Sequence, residues 1–277
     1  MTTVRGARER ARNEITAAIK EEARRQLAAE GAAKLSLRAV ARELGMVSSA
    51  LYRYFPSRDD LLTALIIDAY DAVGAAAEAA AGLRGPAAAP LSGAEADAGP
   101  AAGTAPAPAG GGRGGAALPA GRQSARWNAV CRAVRAWAVA HPHEYALIYG
   151  SPVPGYIAPR DTVAPASRVG GVFISITREA HRTEGLAVPP LQDALRAEAE
   201  RVAAAFAPDL PPSVVAALVA AWAQLFGLIS FELFGQFEGV VEDRDAFFEH
   251  AAARLAAEVG LRPGQAAGTP PGSSAGS

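Results

Sequence analysis

The sequence predicts an all-α fold, and three observations predict it. Alanine, which costs least in a helix interior, is abundant, while aromatic residues make up only 6% of the 277. Apolar residues recur three and four apart over long stretches, the spacing that lines one face of a helix. No clear run alternates apolar with polar as a half-buried strand would. Half of the residues are hydrophobic, so a chain of this length can bury a substantial core.

Taken in order, residues 1–11 are polar and arginine-rich and read as a basic arm. Its Arg5, Arg8 and Arg10, with Arg12, either reach a DNA backbone or minor groove or stay solvated. A first helix over 14–31 repeats Ile15, Ile19, Ala23 and Leu27 and stops at Gly31. Ser36 caps a second helix, 37–44, with Leu37, Val40, Ala41 and Leu44 on one stripe; Gly45 ends it. A third, short helix runs over 48–54 and Pro56 closes it. Ser57 caps a fourth, 57–82, with Asp59 and Asp60 at the positive end of its dipole, and Leu61, Leu62, Leu65, Ile66, Ala69 and Val73 as its buried face. Residues 12–72 form one unit on this reading.

Residues 83–121 are Ala, Gly and Pro with almost no large side chains, and predict a flexible insertion. A second unit spans 122–260. Its helical pattern covers 123–140, 144–149, 160–183, 190–206, 212–235 and 244–259, with a turn-rich stretch at 151–159. The Gly, Pro and Ser tail, 261–277, predicts disorder.

Charge divides along the chain. Residues 1–60 hold 12 Lys and Arg against 8 Asp and Glu, and the remainder 15 against 20. A basic head on an acidic body suits a head that meets a polyanion. The single cysteine, Cys131, excludes an intrachain disulfide and a Cys-rich metal site. The N-terminus lacks the apolar core of a secretory signal, so a cytoplasmic protein is expected. Residues 213–231 carry no charge and approach spanning length, but Asp209 and Glu232 flank them and no Lys or Arg anchors either end. A buried or subunit-interface helix is expected there, and no membrane partner.

The motif with function in it is LSLRAVARELGMVSSALYRYFPSRDDLL, residues 35–62. Two short helices joined through Gly45 make a helix-turn-helix over 35–54, of the size that fits double-stranded DNA. Ser48, Ser49 and Ala50 are small enough to let the second helix sit deep in the major groove, and the serine hydroxyls can meet base edges. Tyr52, Tyr54, Arg38 and Arg58 suit phosphate contacts, and Ser36 is placed with them.

With Ile15 and Ala18, the residues Ser36-Leu37-Arg38-x-Val40-Ala41, Gly45, Leu51-Tyr52-x-Tyr54-Phe55-Pro56-Ser57-Arg58 and Leu61-Leu62 resemble the DNA-binding domain of the TetR family of bacterial regulators. The resemblance covers roughly 12–72. It implies a homodimer on a palindromic operator, with a small-molecule effector in the larger domain that moves the two recognition helices apart; most members are repressors. Where the family has Ser or Thr capping the recognition helix, this chain has Val47. Either Ser48 takes the cap or the helix start goes without one. Residues 141–156, HPHEYALIYGSPVPGY, resemble the C-terminal domain of an actinobacterial-type subgroup of the same family.

Trp127, Trp137, Tyr145, Phe173, Trp222 and Phe226 are the expected lining of an effector pocket, and an apolar or aromatic effector follows from them. Val215, Leu218, Val219, Trp222, Phe226 and Ile229, with Phe248, Ala252, Leu255 and Val259, are the expected dimer interface, a four-helix bundle of 212–235 and 244–259 with their symmetry mates. His141 and His143 diverge on a helix, and a proline-started helix explains them as well as a metal does, so no metal and no cofactor are expected. Cys131 reads as a small core residue. No phosphate loop, nucleophile elbow or zinc signature points to an enzyme. The alternative is a helical interaction or ligand-binding module without specific DNA binding.

Overall fold

The computed structural model describes residues 2–83, 121–183 and 185–263, and all regular structure among them is helical. The predicted insertion lies outside the described residues apart from Leu83 and Gly121, and so does the tail beyond Pro263.

The head is built from α1 (Thr2–Glu30), α2 (Leu37–Glu43), α3 (Ser48–Leu51) and the start of α4 (Arg58–Ala80). Residues 1–11 are not an arm apart from the first helix: α1 begins at Thr2 and runs through them. They lack an apolar stripe, but their Ala, Arg and Glu are good helix formers, and propensity carries the helix where burial does not. Ser36 accepts from the Ala39 N–H, and Ser57 from the Asp60 N–H, so both predicted N-caps form. Gly45, at φ 64°, takes the left-handed turn between α2 and α3. The stripes then close on one core: Ile19, Ala23 and Leu27 of α1, Val40 and Ala41 of α2, Leu51 of α3, and Leu61, Leu62 and Leu65 of α4.

The body is α5 (Arg122–Ala140), α6 (Pro142–Tyr149), α7 (Val163–Ala166), α8 (Arg168–Thr183), α9 (Arg196–Phe206), α10 (Pro212–Leu233) and α11 (Arg244–Val259). Its core takes Ala69, Val73 and Ala77 of α4, Trp127, Val130, Cys131 and Val134 of α5, Ile176 of α8, Leu225 and Ile229 of α10, and Phe248 and Leu255 of α11. α4 therefore belongs to both units. Its first two turns are in the head's core and the rest is in the body's.

The expected helix 160–183 is broken. A 3-10 turn at Arg160–Thr162 leads into α7, and Ser167 separates α7 from α8. Pro165 has no N–H to continue the ladder. The expected helix 190–206 likewise starts only at Arg196, because Pro189 and Pro190 hold the preceding stretch out of the helix. α10 is the one described helix long and apolar enough to cross a membrane by composition. In this fold it packs against α9, α11 and α5.

One set of charges binds head to body, and a second fixes α4 within the body. Lys20 and Arg24 of α1 each lie 2.8 Å from Asp68 of α4, and Arg24 also lies 3.3 Å from Glu144 of α6. Arg168 of α8 crosses α4 at Gly74, where an added Cβ would stand 2.8 Å from the arginine side chain. It reaches the buried Glu78 carboxylate with two bonds, 2.8 and 2.9 Å, and Asp71 at 2.7 Å.

Candidate DNA interface and effector cavity

α3 is one turn of helix, and it tightens through Tyr54: Tyr52 N–H donates to Ser48 C=O, and Tyr54 N–H to Leu51 C=O. Val47 is the residue before the helix, and neither it nor Ser48 supplies a capping oxygen, so the start goes uncapped. Leu51 is fully buried and anchors the turn, which leaves Ser48, Ser49, Tyr52 and Arg53 outside and Ala50 half-buried. Arg38 is exposed on α2 beside them. Tyr54 is half-buried against the head's core, with the Arg12 guanidinium 6.0 Å above its ring.

Two of the expected contact residues are otherwise engaged. The Ser36 hydroxyl caps α2. Arg58 donates to three backbone carbonyls, Ala32 at 2.7 Å, Leu35 at 3.1 Å and Ala33 at 3.4 Å. It clamps the turn between α1 and α2 and is not the free phosphate ligand the sequence suggested. Arg53, which the sequence reading did not single out, is exposed between Tyr52 and Tyr54 just after α3.

Under the head lies a cavity of about 730 Å³. α4 lends it Ile66 and Tyr70, α6 lends Leu147 and Ile148, and Phe206 and Trp222 come from α9 and α10. The stretch after α6 contributes Gly150, Ser151, Pro152, Val153, Tyr156 and Ala158, and Thr162, Val163, Ala166 and Ser167 add a further side. A second cavity of about 260 Å³ shares Ala166, Ser167, Phe206 and Trp222 with it and extends to Phe173, Val215, Leu218 and Val219. None of these lining residues is charged. The polar groups are hydroxyls, and burial, with Tyr156 nearby, raises the Tyr70 phenol above its ordinary pKa.

Of the six expected lining residues, Trp222 lines both cavities and Phe173 the smaller. The others line neither; they are filling. Trp127 packs on Phe173 at 4.3 Å and Trp137 stacks on His141 at 5.3 Å. The Tyr145 hydroxyl donates to the Phe226 carbonyl at 3.0 Å and pairs with Ser230 at 2.9 Å, and burial pushes its pKa up to about 12. Phe226 stacks on Tyr149 at 4.0 Å. An aromatic side chain announces burial, and only packing decides whether it becomes wall or core.

The expected dimer residues are corrected in the same way. Val215, Leu218, Phe226 and Ile229 of α10, and Phe248, Ala252, Leu255 and Val259 of α11, are buried within this one chain. Val219 and Trp222 are exposed, but on the cavity side. The outward side of the same two helices is a groove of about 460 Å³ between α10's Gln224, Gly227, Leu228 and Phe231 and α11's Phe247, Ala251 and Arg254. Phe231 is 53% and Phe247 41% exposed there.

His141 Nδ1 lies 2.9 Å from the Trp137 carbonyl, and Glu144 pairs with Arg24. Cys131 is fully buried, and desolvation raises its thiol far above the ordinary value.

A helix-turn-helix head sharing one long helix with a helical body that carries an uncharged cavity suits a class, the DNA-binding transcription regulator. Residues 19–65 match the family of bacterial regulatory proteins called tetR, and residues 127–255 match the tetracyclin repressor-like C-terminal domain. The HTH-type transcriptional regulators Mb1846 of Mycobacterium bovis and Rv1816 of Mycobacterium tuberculosis are each 38% identical over 239 residues, covering 84% of this chain and 86% of theirs. The chain belongs to the tetR family of DNA-binding regulators. The crystal structure of the candidate regulatory protein SCO4313 superposes with a TM-score of 0.66 at 32% identity, over 89% of this chain and 97% of that one. A protein of unknown function from Rhodococcus sp. RHA1, 20% identical with a TM-score of 0.53 over 88% and 93% of the two chains, shares the fold.

Proposed function

We propose that this regulator is a homodimeric repressor that leaves a palindromic operator when an uncharged, mainly apolar effector enters the cavity under its head. One observation carries the reading. The cavity is walled by α4, whose first turns belong to the core that positions α3. An occupant that favours a different setting of α4 favours a different spacing of the two heads, and the operator requires them one helical turn apart. The lining favours an effector without charge, since a buried ion would find no partner there.

Ser48, Ser49, Ala50, Tyr52 and Arg53 are the base and backbone readers on this reading, with Arg38 and Tyr54 beside them. Arg8, Arg10 and Arg12 are exposed on the extended α1 and are suited to flanking phosphates. The α10–α11 groove is the dimer face, because exposed phenylalanines at its two sides gain most from a second copy. The HPHEYALIYGSPVPGY segment, which supplies α6 and one wall of the cavity, is the signature of the subgroup. A regulator of this kind acts in the cytoplasm, where the chromosome is.

Footprinting on the DNA upstream of its own gene, across a salt series and with random duplex as competitor, tests the reading. Light scattering at micromolar concentration accompanies it. A palindromic site that survives competition, bound by a dimer, is expected. Protection that vanishes with competitor on genome-wide selected fragments as well, or a monomer in solution, rejects it.

A further inference from the structure

Residues 151–158 touch two things at once. Toward the body, Ser151, Pro152, Val153, Tyr156 and Ala158 form one wall of the large cavity. Toward the head, Val153 and Tyr156 pack against the core that holds α2 and α3. The Tyr156 hydroxyl lies 2.9 Å from Thr63 Oγ1, in the part of α4 that belongs to the head. The segment is short and stiff. Pro152 and Pro154 fix their own φ angles, Gly155 at φ 77° turns the chain, and the Tyr156 N–H closes that turn on the Val153 carbonyl at 3.1 Å.

The other walls are harder to move. α4 is held by α5, α6, α7 and α8 along its length, and by Arg168 across it. A stiff segment that is cavity wall on one side and head packing on the other is the part whose position a ligand and the head must both settle. We propose that residues 151–158 carry cavity occupancy to the DNA-binding head, with the Tyr156–Thr63 hydrogen bond as the link. An occupant pushes Val153 and Tyr156 outward, the bond opens, and the head loses part of its support. This deepens the ligand-release reading and rests on it. A ligand changes the equilibrium only through contacts that differ between two states, and here it competes with the head for the same two side chains.

Tyr156→Phe and Thr63→Val each remove the bond and leave the exposed residues of α3 untouched; Thr63 is not among the residues lining the cavity. Nile red, neutral and apolar, serves as the probe on the full chain, its Kd read by fluorescence with and without the footprinted duplex. The wild type is expected to bind it about 5- to 50-fold more weakly on DNA. Each variant should lower that ratio about threefold or more, and the double variant no further, since both remove one bond. Without probe or DNA, the amides of α2 and α3 should exchange hydrogen faster in each variant, and those of α8 should not change. A coupled wild type with equally coupled variants overturns this inference and leaves ligand release standing, whatever the exchange shows. A wild type that does not bind Nile red, or binds it equally with and without DNA, overturns both.

Discussion

In the head, Ile19, Val40, Leu51 and Leu61 close on one another with no exposed surface, and the outside of α3 is polar except for Val47 and Tyr52. In the body, α10 and α11 complete an equally buried core and still leave Val219, Trp222, Phe231 and Phe247 at least 41% exposed. The head also carries the excess of cations and the body the excess of anions. A surface that meets phosphates needs a rigid frame and gains nothing from exposed hydrocarbon. A surface that holds an apolar molecule or a second copy needs apolar area that its own fold has not covered. The two regions apply one chemistry, burial of alanine-rich helices, to opposite ends.

The comparison breaks most easily at Leu51. Leu51→Ala should cost about 2–5 kcal/mol, because it empties the head's core under α3. Calorimetry should show the loss, and hydrogen exchange should place it in α1–α3 and spare α8 and α11; equal loosening of the body would mean that the regions are not separable. Arg168→Ala comes next, at about 3 kcal/mol in denaturant melts, since it leaves the Glu78 carboxylate buried without its partner. A variant as stable as wild type would show that α8 does not need this bond to hold α4.

Arg58→Ala sharpens the head's side. It should lower stability by about 1–2 kcal/mol through three orphaned carbonyl contacts. The slope of log affinity against log salt should change by less than about 0.3, whereas a lost phosphate contact would flatten it by nearly one. The smallest effect is expected at the surface of the body. Arg178 donates to Asp209 and holds that carboxyl below its ordinary pKa. The folded pKa is the lower one, so the stabilisation is present above the ordinary carboxylate range and is lost as pH falls through the folded value. Both side chains are partly solvated, so Asp209→Asn should cost only a few tenths of a kcal/mol near pH 7. Melts of the two proteins should converge in acid.

Much of the head was legible because its signals are local. Ser36 and Ser57 cap the helices they precede, Gly45 turns where a left-handed residue was needed, and the stripe from Ile15 to Leu27 faces the core. The class was legible too, because the order and spacing of a helix-turn-helix lie within thirty or so consecutive residues. Arg58 was misread for the complementary reason. A sequence shows a cation and not the three carbonyls that come to it from residues 32–35.

By itself, then, the sequence determined most of the helices, the caps at Ser36 and Ser57 and the identity of the recognition turn, since each depends on residues within a turn or two of one another. Tertiary structure alone decided which aromatic residues became cavity wall, which side of α10 and α11 stayed outside, and that 151–158 joins cavity to head. α10 is apolar almost all round, so its periodicity cannot choose a face; the choice falls to whichever side α5, α9 and α11 happen to cover. A cavity is a place where packing stops, and no single residue carries the signal for what its distant neighbours leave unfilled.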